Sequence, residues 1–380
     1  MGVRLRRTAR TVALTGALAV MLGGLLGGCS ADKPKPAPLQ SYTQTLSMRT
    51  LWSAQLGSVD FPLALVARNG QLLAASSGGS IAAFDAQSGA QAWRAEVGAP
   101  LVAGVGSDGR FAAAVTRNNE VLAVENGRVL WKQRIPAAVV TAPLVAGERV
   151  FVLAVDRSVH AFDALDGRRL WSFQRPGDAL TLAQPGVLMP AHNQIVVGQG
   201  GRMLALDALR GTVNWDVAVG TPRGTNEVER LADLVGPAAR EGDRACVRSF
   251  QNAVGCVDLA RGTLLWTRTS GGTMAVAQDA GQVYGADASD RVTAWKADSG
   301  ELAWTNETLV NRGLSGAAVL GSSVVFGDGE GLLYFLSATD GSLQLRLSTD
   351  GKAVVGTPLR VGDTLYVVTR GGGLFAFGAR

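Results

Sequence analysis

The sequence predicts an all-β fold: an eight-bladed β-propeller, four antiparallel strands per blade, over residues 47–380. Three observations predict it. Tryptophan recurs at Trp52, Trp93, Trp131, Trp171, Trp215, Trp266 and Trp304, with gaps of 41, 38, 40, 44, 51 and 38 residues, and Leu345 stands 41 residues further on. Most of these tryptophans close one phrase, Asp-x-x-x-Gly-x-x-x-Trp, written by Asp85, Gly89 and Trp93, by Asp163, Gly167 and Trp171, by Asp207, Gly211 and Trp215, and by Asp258, Gly262 and Trp266. Upstream of each phrase lie two apolar runs split by a turn, as in Leu144-Val145, Gly147-Glu148 and Val150 to Leu153. Gly-Glu between β-branched runs is a hairpin signal, and four short strands in about 40 residues is the period of a propeller blade. No helical periodicity of useful length competes with it.

Taken in order, the third-strand phrases centre on Phe84, Val124, Phe162, Leu206, Val257, Trp295, Phe335 and Phe377. The eighth is cut off by the C-terminus before its closing strand, while Met48 to Leu56 carries Trp52 with no strand before it. Joining the two completes an eighth blade from both chain ends and removes the open edges of a linear array. The recurring residues have structural explanations. An Asp at a strand end bonds the backbone two residues on, a Gly four residues later suits positive φ, and a Trp fills the seam between blades with its indole N–H on a backbone acceptor.

Composition narrows the function. Apolar residues make up 47% and charged ones 18%, which rules out disorder for most of the chain. Gly reaches 49 residues with no triplet period, consistent with many turns and not with collagen. The net charge of +5 includes Arg4, Arg6, Arg7 and Arg10, without which about +1 remains; a nucleic-acid partner is not expected, because the basic footprint is missing. Metal binding has only His160 and His192 to draw on, and no HExxH, GxSxG, P-loop or CxxC motif is present. No catalytic residue, metal or cofactor is expected.

The first 28 residues have the layout of a secretory signal: a basic start, an uncharged run from Thr11 to Leu26, then small residues. The ending Leu26-Gly27-Gly28-Cys29 resembles the bacterial lipobox, which implies diacylation of Cys29 and its exposure as the mature N-terminus. Ser30 rather than Asp after it resembles the outer-membrane address. Residues 29–46, with Pro34, Pro36 and Pro38, read as a lipidated, semi-extended tether.

Binding sites in repeat proteins lie where the period is broken. The 51-residue gap adds residues at Thr221 to Arg240, and the 44-residue gap adds a few around Pro176 to Pro190. These follow each other on neighbouring blades. One carries Glu227, Glu229, Arg230 and Asp233, the other Leu180 and Leu182, and apolar anchors beside mixed charges suit a modest protein interface. Cys246 and Cys256 fall on two strands flanking Gln251-Asn252, so the alternatives are a cross-strand disulfide, which an oxidising compartment permits, and two buried thiols.

The tryptophan phrase resembles the docking repeat of the pyrroloquinoline quinone dehydrogenases, also eight-bladed propellers. Those enzymes are longer and share adjacent cysteines, which this chain lacks. Over residues 29–380 the chain is more similar to the BamB family, the lipoprotein subunits of the outer-membrane β-barrel assembly machinery. The lipobox, the short tether, the bare blades and the stretch Gly224 to Asp233 (GTNEVERLAD) carry that resemblance. It implies a non-catalytic scaffold whose partner is the BamA-type core subunit, whose anchor is the outer membrane, and which works beside nascent outer-membrane proteins. The positions matching the family's partner contact are Leu180, Leu182, Glu229, Arg230, Leu231 and Asp233. The chain departs from the family pattern at Ala183, where Arg is usual, and at Val235, where a second acid is usual. Two other readings are a quinoprotein-like dehydrogenase and a propeller that pairs unfolded barrel strands to a free edge, against which the closed ring argues.

Overall fold

The computed structural model describes residues 2, 34–175 and 180–379. The expected signal segment, Cys29 and the Pro176–Ala179 part of the first insertion lie outside them. The chain divides into two compact units, Met1–Lys35 and Pro36–Arg380. Of the first, Gly2 and Pro34–Lys35 are described, and all three are exposed.

The second unit is a propeller of eight four-stranded antiparallel sheets. Blade 1 is built from Val66–Arg68, Gln71–Ala75, Ser80–Asp85 and Gln91–Glu96; blade 2 from Leu101–Ser107, Phe111–Thr116, Glu120–Glu125 and Arg128–Arg134. Blade 3 runs from Leu144–Ala146 to Arg169–Phe173, blade 4 from Leu188–Ala191 to Val213–Ala218, blade 5 from Leu234–Glu241 to Thr263–Thr269, blade 6 from Ala277–Gln278 to Leu302–Asn306, and blade 7 from Ala318–Leu320 to Leu343–Ser348. In blade 8, Leu359–Val361, Thr364–Val368 and Gly373–Ala379 are joined by Met48–Gln55, which pairs antiparallel with Gly373–Ala379. The two chain ends therefore close the ring, as the split repeat requires.

Within each blade the first strand is innermost and short, two to four residues in six of the eight blades. The second and third strands are packed on both faces by neighbouring blades. That is why they read as continuous apolar runs: Gln71–Ala75, Phe111–Thr116 and Ser323–Gly327 are buried almost throughout. The fourth strand is the outer rim and alternates, as in Gln91–Glu96.

The seams are made by the repeat phrase. Each Asp at the end of a third strand accepts backbone N–H bonds from the turn: Asp163 from Leu165 (2.9 Å) and Asp166 (3.3 Å), Asp207 from Leu209 (2.9 Å) and Arg210 (2.8 Å). The Gly that follows sits at positive φ beneath the Trp of the preceding blade. A Cβ on Gly167 would lie 2.5 Å from the Trp131 ring, one on Gly211 2.5 Å from Trp171, and one on Gly262 2.4 Å from Trp215. Five indoles then donate to a carbonyl of the next blade: Trp52 to Ala86, Trp131 to Ala164, Trp171 to Ala208, Trp266 to Ala297 and Trp304 to Ala338, at 2.8 to 3.2 Å. Trp215 docks on its glycine, but its buried Nε1 has no partner among the described residues.

The exceptions have causes. Leu345 replaces Trp in blade 7, and the blade it faces is blade 8, whose third and fourth strands come from opposite chain ends. No Asp-to-Gly turn joins them, so no glycine platform exists for an indole. Trp93 faces the two-residue Asn126-Gly127 turn of blade 2, where the atoms nearest to a Cβ on Gly127 would be the Arg94 carbonyl oxygen at 3.4 Å and the Trp93 Cβ at 3.5 Å, not the indole ring.

Cys246 and Cys256 are direct partners on the second and third strands of blade 5 and form a disulfide, with their Cα atoms 4.0 Å apart. The tether differs from a free spacer. From Ala37 onward it is hydrogen bonded along blades 6 and 7, and Leu46 packs into the core beside Phe335 and Leu345.

Candidate functional site

Both insertions are connections from the outer strand of one blade to the inner strand of the next: 174–187 between blades 3 and 4, and 219–233 between blades 4 and 5. In an antiparallel four-stranded blade these connections and the turns between second and third strands emerge on one face of the ring. The other two turns emerge on the opposite face.

The second insertion is ordered by its own polar side chains. The Asn226 Oδ1 accepts the Glu229 N–H (2.9 Å), and the Arg230 N–H bonds the Asn226 carbonyl (3.2 Å). The Glu229 carboxylate folds back onto the Thr225 N–H (2.9 Å) and hydroxyl (3.3 Å). Those bonds, the Thr225 amide foremost, hold Glu229 below its ordinary pKa. Glycine is required at Gly224, with φ +128°, because a Cβ there would lie 2.2 Å from the Glu229 Cβ. The ends of the insertion are tied to blade 5, the Asn252 amide donating to the Thr221 carbonyl (2.8 Å) and the Ser249 hydroxyl to that of Ala232 (2.7 Å).

Opposite stands the rim of blade 4. Asp216 accepts from Arg175 and Arg202, each at 2.6 Å. Burial alone would raise its pKa, but the two guanidiniums outweigh it and hold the carboxyl below its ordinary value. Deeper in, Arg157 approaches Asp233 at 3.8 Å, both side chains being largely buried.

Between the two connections opens a cleft of about 350 Å³. Leu180, Arg230, Leu231 and Asp233 all line it, together with Arg175 and Arg202. The other two sequence-predicted positions lie outside this lining. Leu182 lines a separate cavity of about 40 Å³ beside Leu153 and Leu234, where it packs the base of the first insertion. Glu229 is absent from both linings and holds its own loop. Both leucines are half-buried, whereas Val228, at the tip of the second insertion, is 68% exposed. Sequence reasoning missed Val228, although an apolar residue between Glu227 and Glu229 was its signal. It also missed Arg202 and Asp216, which occupy ordinary blade positions and have no sequence signal, and Arg175, at the start of the first insertion just past the outer strand of blade 3.

Half-buried leucines lie beside paired guanidiniums and carboxylates already engaged with one another. Among the described residues no group of three His, Cys, Asp or Glu is placed to hold a metal ion. His160 is buried, its Nε2 2.9 Å from the Ser158 hydroxyl, and burial lowers its pKa.

Comparison with known proteins gives the same family by two routes, a family model and full-length relatives, and a solved structure gives the same fold. The family described as "Outer membrane protein assembly factor BamB" matches over residues 77–306 and 298–380. The chain is 36% identical to the outer membrane protein assembly factor BamB of Bordetella pertussis over 367 residues, 94% of this chain and 95% of that one. It is 33% identical to the protein of the same name from Burkholderia pseudomallei, covering 99% of each chain. Among solved structures, BamB from Moraxella catarrhalis superposes with a TM-score of 0.79 at 22% identity, covering 87% of this chain and 99% of that one. A quinohemoprotein alcohol dehydrogenase from Comamonas testosteroni shares the fold alone, with a TM-score of 0.65 at 14% identity over 89% of this chain and 78% of that one.

Proposed function

Because the chain belongs to the BamB family of non-catalytic outer membrane protein assembly factors, we propose that it is a lipid-anchored scaffold that binds the periplasmic repeat domains of a BamA-type core subunit. In this reading residues 1–28 are removed, Cys29 carries the acyl chains that hold the protein on the periplasmic side of the outer membrane, and the propeller presents the partner surface. Two chains or more anchor stably, where one is marginal.

The observation that carries the proposal is the convergence of the two period-breaking connections on one cleft. Leu180 and Leu231 supply apolar area, and Arg175, Arg202, Arg230 and Asp233 surround it with both signs of charge. Such a patch fits an apolar centre with a polar rim. The partner gains contact with half-buried leucines while the charges fix register and exclude wrong partners. Leu182 and Glu229 serve the same surface indirectly, by holding the two loops in place.

Affinity purification of the tagged full-length protein from outer membranes tests this. The proposal expects the barrel-forming core subunit to be recovered with it. A protein that emerges without that subunit overturns the scaffold reading.

A further inference from the structure

The segment between the lipidation position and the propeller is docked on the blades. Ala37 is held through both its backbone groups: its N–H donates to the Val310 carbonyl (3.0 Å), and its carbonyl accepts from Arg312 Nη1 (2.7 Å). Arg312 is 5% exposed and is fixed by the fully buried Asp328 (2.8 Å) and by Glu330. Burial acts to lower its pKa, but the Asp328 carboxylate overrides that and raises it. The segment thus satisfies one donor of a buried guanidinium, a group that is costly to leave unbonded in the interior.

Below Ala37 the chain runs antiparallel along the outer edge of blade 7. The Arg346 Nη1 donates to the Gln40 carbonyl (3.3 Å), the Arg346 N–H to the Tyr42 hydroxyl (3.0 Å), and the Thr45 N–H to the Gln344 carbonyl (3.1 Å). The Arg346 guanidinium lies 5.4 Å from the centre of the Tyr42 ring. The strap therefore covers backbone groups that an edge strand would otherwise present to solvent.

Its upper end fixes a direction. Val310 and Arg312 belong to the connection between the outer strand of blade 6 and the inner strand of blade 7, and Asp328 to the turn between the second and third strands of blade 7. These elements share the face on which the 174–187 and 219–233 connections emerge. Eight peptide links separate Cys29 from Ala37 and span at most about 28 Å, against about 65 Å for the nineteen links to Met48 if the strap were loose.

We propose that the strap turns the insertion-bearing face of the propeller toward the lipid surface and keeps it within that short reach. A subunit bound in the cleft is then gripped on the membrane side of the ring. This inference rests on acylation at Cys29.

The test uses full-length lipidated protein on vesicles of phosphatidylethanolamine and phosphatidylglycerol containing a headgroup quencher. A fluorophore is placed at Val228→Cys, on the insertion face, or at Asp363→Cys, in the exposed turn on the opposite face. The strands between the faces separate them by roughly 20 Å. Quenching should be several-fold stronger at position 228. In a strap variant, Ala37→Pro with Tyr42→Ala and Thr45→Pro, which removes the Ala37 and Thr45 N–H donors and the Tyr42 hydroxyl, the difference should collapse while the melting profile of the propeller persists. Vesicle binding with equal quenching at both positions in the unaltered strap, or stronger quenching at 363, overturns the proposal alone. Failure to bind vesicles, as expected of a Cys29→Ala control, would defeat the anchor reading and this inference with it.

Discussion

Replacing Gly167 by alanine tests whether the blades are held together by indoles seated on glycines. Gly167 has φ +74°, and a Cβ there would lie 2.5, 2.7 and 2.8 Å from three atoms of the Trp131 ring system. Carbon atoms pack no closer than about 3.5 Å, so the indole must retreat by about 1 Å. That retreat breaks its 2.9 Å bond to the Ala164 carbonyl and loosens a side chain only 8% exposed. Gly362 provides the reference, with φ +57° and nothing within 4 Å of its Cβ position. Gly362→Ala should cost about 1 kcal/mol for the left-handed conformation alone. Gly167→Ala should cost about 3 kcal/mol, the same conformational term plus about 1 kcal/mol for the hydrogen bond and a share of the roughly 3–5 kcal/mol that Trp131→Ala would remove. For a propeller of this size about 3 kcal/mol lowers Tm by about 4 °C, and about 1 kcal/mol by less than 2 °C. On a Trp131→Ala background Gly167→Ala should fall back to about 1 kcal/mol, leaving a coupling of about 2 kcal/mol. Equal costs at Gly167 and Gly362, or strict additivity with Trp131→Ala, would refute the docking argument.

Three further outcomes are expected. Denatured, unreduced protein lacking Cys29 should titrate no free thiol, and Cys246→Ser with Cys256→Ser should lose roughly 2–3 kcal/mol for a loop this short; two free thiols in the unaltered protein would contradict the bridge. Arg248 is fully buried and donates to the carbonyls of Ser270, Gly271, Met274 and Ala286; burial brings its pKa down to about 10 against the opposing pull of Asp287. Arg248→Met, which orphans four carbonyls where blade 5 meets blade 6, should cost at least about 3 kcal/mol, read as a fall in the urea midpoint; an unmoved midpoint would count against it. Burial depresses the folded-state pKa of His160 below its ordinary 6.5, so the unfolded chain takes up the proton first. Stability should fall as pH drops below about 6.5, and His160→Gln should flatten that dependence in melts recorded between neutral and acid pH.

The ring was legible because its seams use a costly residue in a fixed phrase. Asp163 caps the turn whose Gly167 carries Trp131 of the preceding blade, and Trp171 reaches forward to Gly211 of the next, so each blade repeats the phrase and periodicity in sequence became periodicity in space. The split blade followed from the same phrase, but the reason for Leu345 lay in the missing turn of blade 8 and required the structure. The cleft was half legible. Interrupted spacing located both insertions, yet nothing in the order Leu180-Thr181-Leu182 says that one leucine lines the cleft and the other packs beneath it. Arg202 opens a regular strand and Arg175 lies just past one, where the insertion begins, and neither carried a signal. The strap was illegible for a different reason. Its side-chain bonds pair one side chain with one backbone atom far away in sequence, the Arg312 guanidinium with the Ala37 carbonyl and the Tyr42 hydroxyl with the Arg346 N–H, and such single contacts leave no periodic pattern in a proline-rich segment.

The central claim is that the two insertions form the partner surface. Leu180→Asp combined with Leu231→Asp, in tagged full-length protein purified from outer membranes, tests it most directly, since both residues line the cleft. The account predicts loss of the core subunit from the purified material with the melting profile of the propeller retained. Full recovery of the core subunit with both substitutions in place would contradict it.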